Sequence, residues 1–325
     1  MRILTLILAV LLLLTTSCSK MILNKVSDGL SSGGSNFMMK DNDPEFVAQA
    51  LPLALKMYEG LIEANPEHVG LHSAAAAGFT GYSYAFIQFN ADTLIDDAIT
   101  QKHLYKRASN MYLRARNYGL AGLEISYPGF KKSLRDTANP ILSQTTKEDL
   151  DLLYWTGMAW MGAFSTNKFN MSLALSLPQA KRILFRVAEL DSNYGNGAID
   201  EFLITFYGAM PASMGGNKAL AKEHFEKAVT LTHDNSAGPY LAYAEAIAIP
   251  SQDLKLFKTL IKRAIKIKPS ADKDNLLLRT LQKEKAQWYL RHIEDFFLID
   301  EPQDSPSTST TLPNDTTIGV TNVQK

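Results

Sequence analysis

At 325 residues, with 33 basic and 33 acidic side chains, the chain has no net charge, and no basic stripe stands out along it; nucleic acid is not an expected partner. A hydrophobic content of 46% is that of a globular chain, long enough for one large core or a stacked helical array. The single cysteine, Cys18, excludes an intrachain disulfide and any cysteine-based metal cluster.

Residues 1–17 read as a lipoprotein signal peptide. Arg2 gives a positive start, and Ile3–Leu14 is an apolar run too short to span a bilayer. The small residues Thr15, Thr16 and Ser17 lead straight into Cys18. This is similar to the lipobox of bacterial lipoproteins, in which the cysteine becomes the acylated N-terminus; Thr15 departs from the more usual leucine. The alternative is an ordinary cleaved signal with an incidental cysteine. Several acyl chains, at about 0.8 kcal/mol per buried methylene, would anchor the chain stably. Ser19 after the cysteine, by similarity to enterobacterial sorting, favours the outer membrane. Residues 18–40 are expected to be the lipidated N-terminus and a flexible tether, with Gly29, Ser31, Ser32, Gly33, Gly34 and Ser35.

From residue 41 to 298 the pattern is helical throughout. Asp43, Pro44 and Glu45 mark a helix start, as cap, first-turn proline and first-turn acid, and the helix runs to Ala64 with a kink or split expected at Pro52. A second helix, rich in Ala, Gly and Ser, covers 67–89. A long helix or two covers 92–120, where Arg107, Arg114 and Arg116 read as a solvated face. Residues 121–146, with Pro128, Gly129, Asn139 and Pro140, read as a long irregular connection. Residues 147–164 are helical again. Their bulky Leu153, Trp155, Trp160 and Phe164 suit either packing on a neighbouring helix or an aromatic pocket wall.

Residues 191–235 form the clearest unit, two helices around a glycine-bearing turn. Ile199, Phe202, Leu203 and Phe206 share one helical face. Pro211, Gly215 and Gly216 break the helix, and Asn217 caps the next, in which Ala221, Phe225 and Ala228 form the seam. Glu223 and Lys227 are set for an i,i+4 pair. The seam recurs at Ala54, Tyr58 and Leu61; at Ala108, Tyr112 and Ala115; at Ala180, Leu184 and Val187; and at Phe257, Ile261 and Ala264. The starts at 54, 108, 180, 221 and 257 are irregularly spaced, so the repeat is degenerate against a strict period of about 34. The predicted fold is all-α: degenerate tetratricopeptide-like hairpins stacked as an α-solenoid, capped by a final helix over 271–298. Residues 299–325, rich in Ser, Thr and Pro, are expected to be disordered.

Catalytic signatures are missing: there is no Gly-x-Ser-x-Gly, phosphate-binding glycine loop or dinucleotide fingerprint. His68 and His72 sit four apart, a possible two-ligand metal edge or simply exposed histidines. Gly215-Gly216 before a helix suits an anion or a plain turn. No metal, cofactor or catalytic residue is assigned.

Several short motifs occur in a characteristic order: Asp43-Pro44-Glu45 with Ala50-Leu51-Pro52; Tyr154-Trp155 with Ala159-Trp160; Asp191 with Tyr194-Gly195 and Gly197; Pro211 with Gly215-Gly216, Ala221 and Phe225-Glu226-Lys227-Ala228; and Asn275 before a helix ending at Phe296-Phe297. In this the chain resembles the TatT family, the lipoprotein T-components of tripartite ATP-independent periplasmic (TRAP) transporters. The resemblance implies an all-helical homotrimer with a pore or groove through each protomer. It further implies a periplasmic solute-binding protein as docking partner, a hydrophobic or amphipathic ligand, and no catalytic residues. The family offers no ligand-site motif to carry over; from the bulky residues of the 147–164 and 196–210 helices, Tyr154, Trp155, Trp160, Phe202 and Phe206 are the expected ligand-channel lining, and from the lipobox Cys18 is the expected lipidation site. The expected protein is a non-enzymatic accessory subunit, anchored by lipid in the bacterial envelope and facing the periplasm. The alternatives are a general periplasmic interaction scaffold without a transport role, and an enzyme with an unfamiliar site.

Overall fold

A computed structural model describes residues 25, 27–29, 36–136 and 140–298. Cys18, the signal segment and the tail from 299 lie outside the described residues. Lys25 and Ser27–Gly29 are helical, and Asn36–Met39, in the stretch read as tether, form a helical turn.

The helix starts follow side-chain chemistry. Asp43 opens α1 (Pro44–Ala64) by accepting from the Phe46 amide at 3.0 Å. Pro52 does not split α1. It removes one rung of the ladder, but burial of Val47, Leu55, Tyr58 and Ile62 on either side holds the helix together. The buried face is thus Leu55-Tyr58-Ile62, one residue on from the expected Ala54 and Leu61, which are half-buried.

His68 caps α2 (Val69–Tyr82), which continues through a π-helical turn, Ser83–Gln88, into α3 (Phe89–Thr93). Asp97 caps α4, a single helix over Ala98–Ser126. It absorbs the start of the connection predicted to be irregular, and the described residues on either side of 137–139 are pinned. The Glu124 carboxylate accepts from the Gly129 and Lys131 amides at 2.8 and 2.9 Å, Phe130 is fully buried, and Arg186 donates to the Ser143 and Thr145 carbonyls.

The chain continues as α5 (Leu150–Ser165), α6 (Met171–Leu190), α7 (Tyr194–Ala209) and α8 (Lys218–Leu231). Then come α9 (Gly238–Tyr243), a second π-helical turn (Ala244–Ala248), α10 (Leu254–Lys266) and α11 (Leu276–Arg291). Left-handed φ values of 60°, 52° and 101° at Gly195, Asn196 and Gly197 kink the start of α7, a conformation glycine takes without penalty. Asn217 caps α8 as expected, accepting from the Ala219 and Leu220 amides.

No strand occurs among the described residues, and neighbouring helices stack as a solenoid-like array. α2, α4, α5 and α6 pack in succession; α7 pairs with α8 and α9, and α9 leads to α10 and α11. The seams at Ala108-Tyr112-Ala115, Ala180-Leu184-Val187 and Phe257-Ile261-Ala264 are all buried. The last helix does more than cap α10. Its Leu277 and Leu281 pack with Val47 of α1 and with Met38, Met39, Ala85 and Phe86. The end of the stack therefore returns to its beginning, and the inner helix faces look onto a common interior.

Candidate functional site

Two π-helical turns place polar side chains in that interior. A π turn inserts an extra residue into the helical turn and re-aims its side chains, and such turns concentrate at functional sites. The first turn carries Tyr84 and Gln88, followed by Asp92 on α3. Asp92 Oδ1 accepts from the Tyr105 hydroxyl at 2.8 Å, and Gln88 Oε1 accepts from the Tyr112 hydroxyl at 2.7 Å, which ties both to α4. The second turn carries Glu245, whose Oε1 lies 2.8 Å from Lys285 Nζ on α11. Lys285 also lies over the Tyr289 ring, 5.8 Å from its centroid.

A second group lies where α7, α9 and α11 meet. Glu201 presents its carboxylate beside Gly238 and bonds to the Ser236 side chain. A Cβ at position 238 would stand 2.2 Å from Glu201 Oε1, so glycine is what lets α9 approach. Arg279 reaches Ser236 and Gln282 and pairs with Asp272 at 3.4 Å; its buried Nε has no partner among the described residues.

The two groups face each other across Tyr84. Tyr84 is 43% exposed, yet it feels charges from four other elements at once: Lys285, Glu245, Glu201 and Asp92. Tyr84 therefore stands between the two groups, within reach of the charges of both. Of these influences Lys285 is the strongest and favours the phenolate. Burial and the three carboxylates together outweigh it and raise the Tyr84 hydroxyl. Burial is also the main influence on Lys285 and opposes its charge, but Glu245, Tyr289, Tyr84 and Asp92 outweigh burial and hold the ammonium protonated. Burial raises Asp92 against the pull of Lys285 and Tyr105. Burial likewise pushes Glu201 up to about 7, Arg279 and Ser236 resisting. The interior thus holds one half-buried ion pair, Lys285–Glu245, and two carboxyls, Asp92 and Glu201, whose charge is disfavoured by burial although Lys285 and Arg279 act on them, among several tyrosines. It can receive a molecule with polar groups, and it holds no nucleophile–base pair.

The five residues expected to line a channel sit in one packed cluster. Tyr154, Trp160, Phe202 and Phe206 are buried, and Trp155 is partly buried. Tyr154 stacks edge-on with Trp155 and against Tyr194, and it is the member that feels Glu201 and Tyr84. Trp160 donates from Nε1 to Ser176 Oγ at 2.8 Å, under the Arg116 guanidinium. Phe202 and Phe206 pack together, and Phe206 packs edge-on with Phe185 and Tyr207.

Other sequence expectations change. Arg107, Arg114 and Arg116 are not simply solvated. Arg107 bonds to the Tyr82 hydroxyl, Arg114 pairs with Glu59, and Arg116 covers Trp160. Both histidine rings are engaged. His68 Nδ1 accepts from the Leu71 amide, so its Nε2 donates to Asp28 at 3.0 Å, while His72 Nε2 donates to the Pro66 carbonyl at 2.8 Å. The Gly215 and Gly216 amides bond to the Ala212 and Pro211 carbonyls, as a plain turn requires, so neither is free for an anion. Glu223 does not pair with Lys227. Lys227 turns inward to the buried Asp200, at 3.3 Å, and His224 Nδ1 lies 2.7 Å from the same oxygen. Tyr84, Asp92, Glu201, Glu245 and Lys285 were not picked out in the sequence, where they are scattered and carry no motif.

The TAtT family model, described as TRAP transporter T-component, matches residues 40–297. A protein of Treponema pallidum (strain Nichols), described as an uncharacterized protein, is 34% identical over 264 residues, which cover 80% of this chain and 82% of that protein.

Proposed function

From the premise that the chain belongs to the TAtT family, the T-components of TRAP transporters, we propose that it receives a hydrophobic or amphipathic ligand in its interior hollow and passes it to the periplasmic solute-binding component. The family is an accessory transport component on the periplasmic side of the envelope. No described helix is long and apolar enough to cross a membrane.

The observation that supports the ligand reading is the pair of π turns that carry Tyr84 and Glu245 near Lys285; the interior space among them is the proposed hollow. Tyr154, with Trp155, Trp160, Phe202 and Phe206 behind it, forms the apolar side of that path. The hairpins act as degenerate tetratricopeptide units, three protomers assemble, and acylated Cys18 holds the assembly on the membrane, the outer one by the Ser19 argument. The protein is a carrier and scaffold, not an enzyme.

The test is purification of the full chain from detergent extracts, with mass spectrometry of the proteins and small molecules that accompany it. A solute-binding protein and an amphipathic compound are expected. Tyr84→Trp, which fills the hollow, should lose the compound and keep the protein. Recovery of neither from the native chain overturns the reading.

A further inference from the structure

Helix α10 carries a feature that the hollow does not use. Between Asp253 and Asp272 the chain has no acidic residue, and it has Lys255, Lys258, Lys262, Arg263, Lys266 and Lys268. The inner face of α10, Phe257, Leu260, Ile261 and Ala264, is buried. Lys255, Lys258, Lys262 and Lys266 are spaced by three, four and four, which at 3.6 residues per turn keeps them within roughly an 80° sector and along about 16 Å of helix. This is a basic stripe the sequence reading did not find, because helical phase and not sequence adjacency creates it. Arg263 points elsewhere, to Asp234, whereas the lysines make no ion pair among the described residues. Leu254, Lys255, Lys258, Thr259 and Lys262 share one open stretch of surface along the stripe.

We propose that this lysine face of α10 rests on an anionic phospholipid surface. Three observations favour a membrane over an acidic protein. The cations that face out are all lysine, a hydrated point charge suited to headgroups, while the one arginine, the better partner for a defined carboxylate, is spent within the fold. No acid interrupts the stripe, unlike the mixed charge of protein interfaces. The stripe also ends where the N-terminal segment enters the domain: Lys40 pairs with Asp274 at 2.9 Å, in the short link that follows Lys266 and Lys268. Chain leading from a membrane to residue 40 arrives beside the lysines. The proposal goes beyond ligand delivery and does not require that Cys18 be acylated.

The experiment compares binding of the full chain to vesicles of phosphatidylcholine alone and of phosphatidylcholine mixed with phosphatidylglycerol. Any apolar leader contributes to both, so the ratio reads the stripe. Each lysine near an anionic surface is worth roughly a fivefold gain in partitioning. The variant with Lys255→Gln, Lys258→Gln and Lys262→Gln should lose on the order of a hundredfold of the preference for anionic vesicles. High salt should abolish that preference in the unmodified chain. An unchanged thermal transition shows that the variant is folded, and Lys102→Gln with Lys106→Gln on α4 serves as a control face. Equal binding to both vesicles by the native chain, or a preference retained by the variant, overturns the proposal. If the variant instead loses cross-linking to a co-purifying protein while vesicle binding is unchanged, the face is a protein-docking surface and the membrane proposal fails.

Discussion

Replacing Glu201 with glutamine should stabilise the protein above neutral pH. The carboxyl is pushed by burial from an ordinary 4.5 up to about 7. Between those values the native state holds a proton that the unfolded chain releases, so stability falls as pH rises. The contribution is complete below about 4.5 and gone above about 7. At about 1.4 kcal/mol per pH unit, that gap amounts to about 3 kcal/mol. Glutamine keeps the volume and the bond to Ser236 but carries no charge, so Glu201→Gln should escape the loss. Thermal unfolding followed by far-UV circular dichroism from about pH 4.5 to about pH 8 is the assay. The variant's midpoint should rise above that of the native chain by about 5–10 °C at the alkaline end, and the two should converge at the acid end. Curves that stay parallel across the range, or a variant less stable at about pH 8, would refute the claim that Glu201 is desolvated in the hollow.

Three further outcomes follow from the same geometry. Lys285→Met leaves the half-buried Glu245 without its cation and should cost about 1–2 kcal/mol in urea unfolding, with Glu245→Gln in the same chain restoring more than half. Gly238→Ala puts a Cβ 2.2 Å from Glu201 Oε1, the free end of a flexible side chain that can swing aside, and should cost about 1 kcal/mol, relieved when Glu201 is shortened to alanine but not when it becomes glutamine. Asp200→Ala removes the acceptor shared by His224 and Lys227 and should cost about 3 kcal/mol by the same measurement; Lys227→Met should cost less, because Lys227 is partly exposed.

The misreadings have physical causes. In α1 the pattern Ala54-Tyr58-Leu61 looked like a small-aromatic-apolar seam, but Leu55 and Ile62 bury more surface against α2 and rotate the helix by one residue. Glu223 and Lys227 stand at the right spacing for a surface pair. A buried carboxylate at Asp200 gains far more from the ammonium than a solvated one does, so Lys227 turns inward. The stretch after residue 120 looked loose because it holds prolines and a glycine, but Glu124 and Arg186 supply the hydrogen bonds that its backbone cannot make within itself.

Local chemistry settled what lies within a turn or two of chain: caps at Asp43 and Asn217, the buried seams of α4, α6 and α10, and an all-helical stack whose family resemblance spans residues 41–297. The functional interior was decided in three dimensions. Tyr84, Glu201, Glu245 and Lys285 meet only because two helices each take up an extra residue in a π turn and the last helix folds back onto the first. Helical periodicity carries no trace of either event. Both depend on how the apolar faces of distant segments fit once they are brought together.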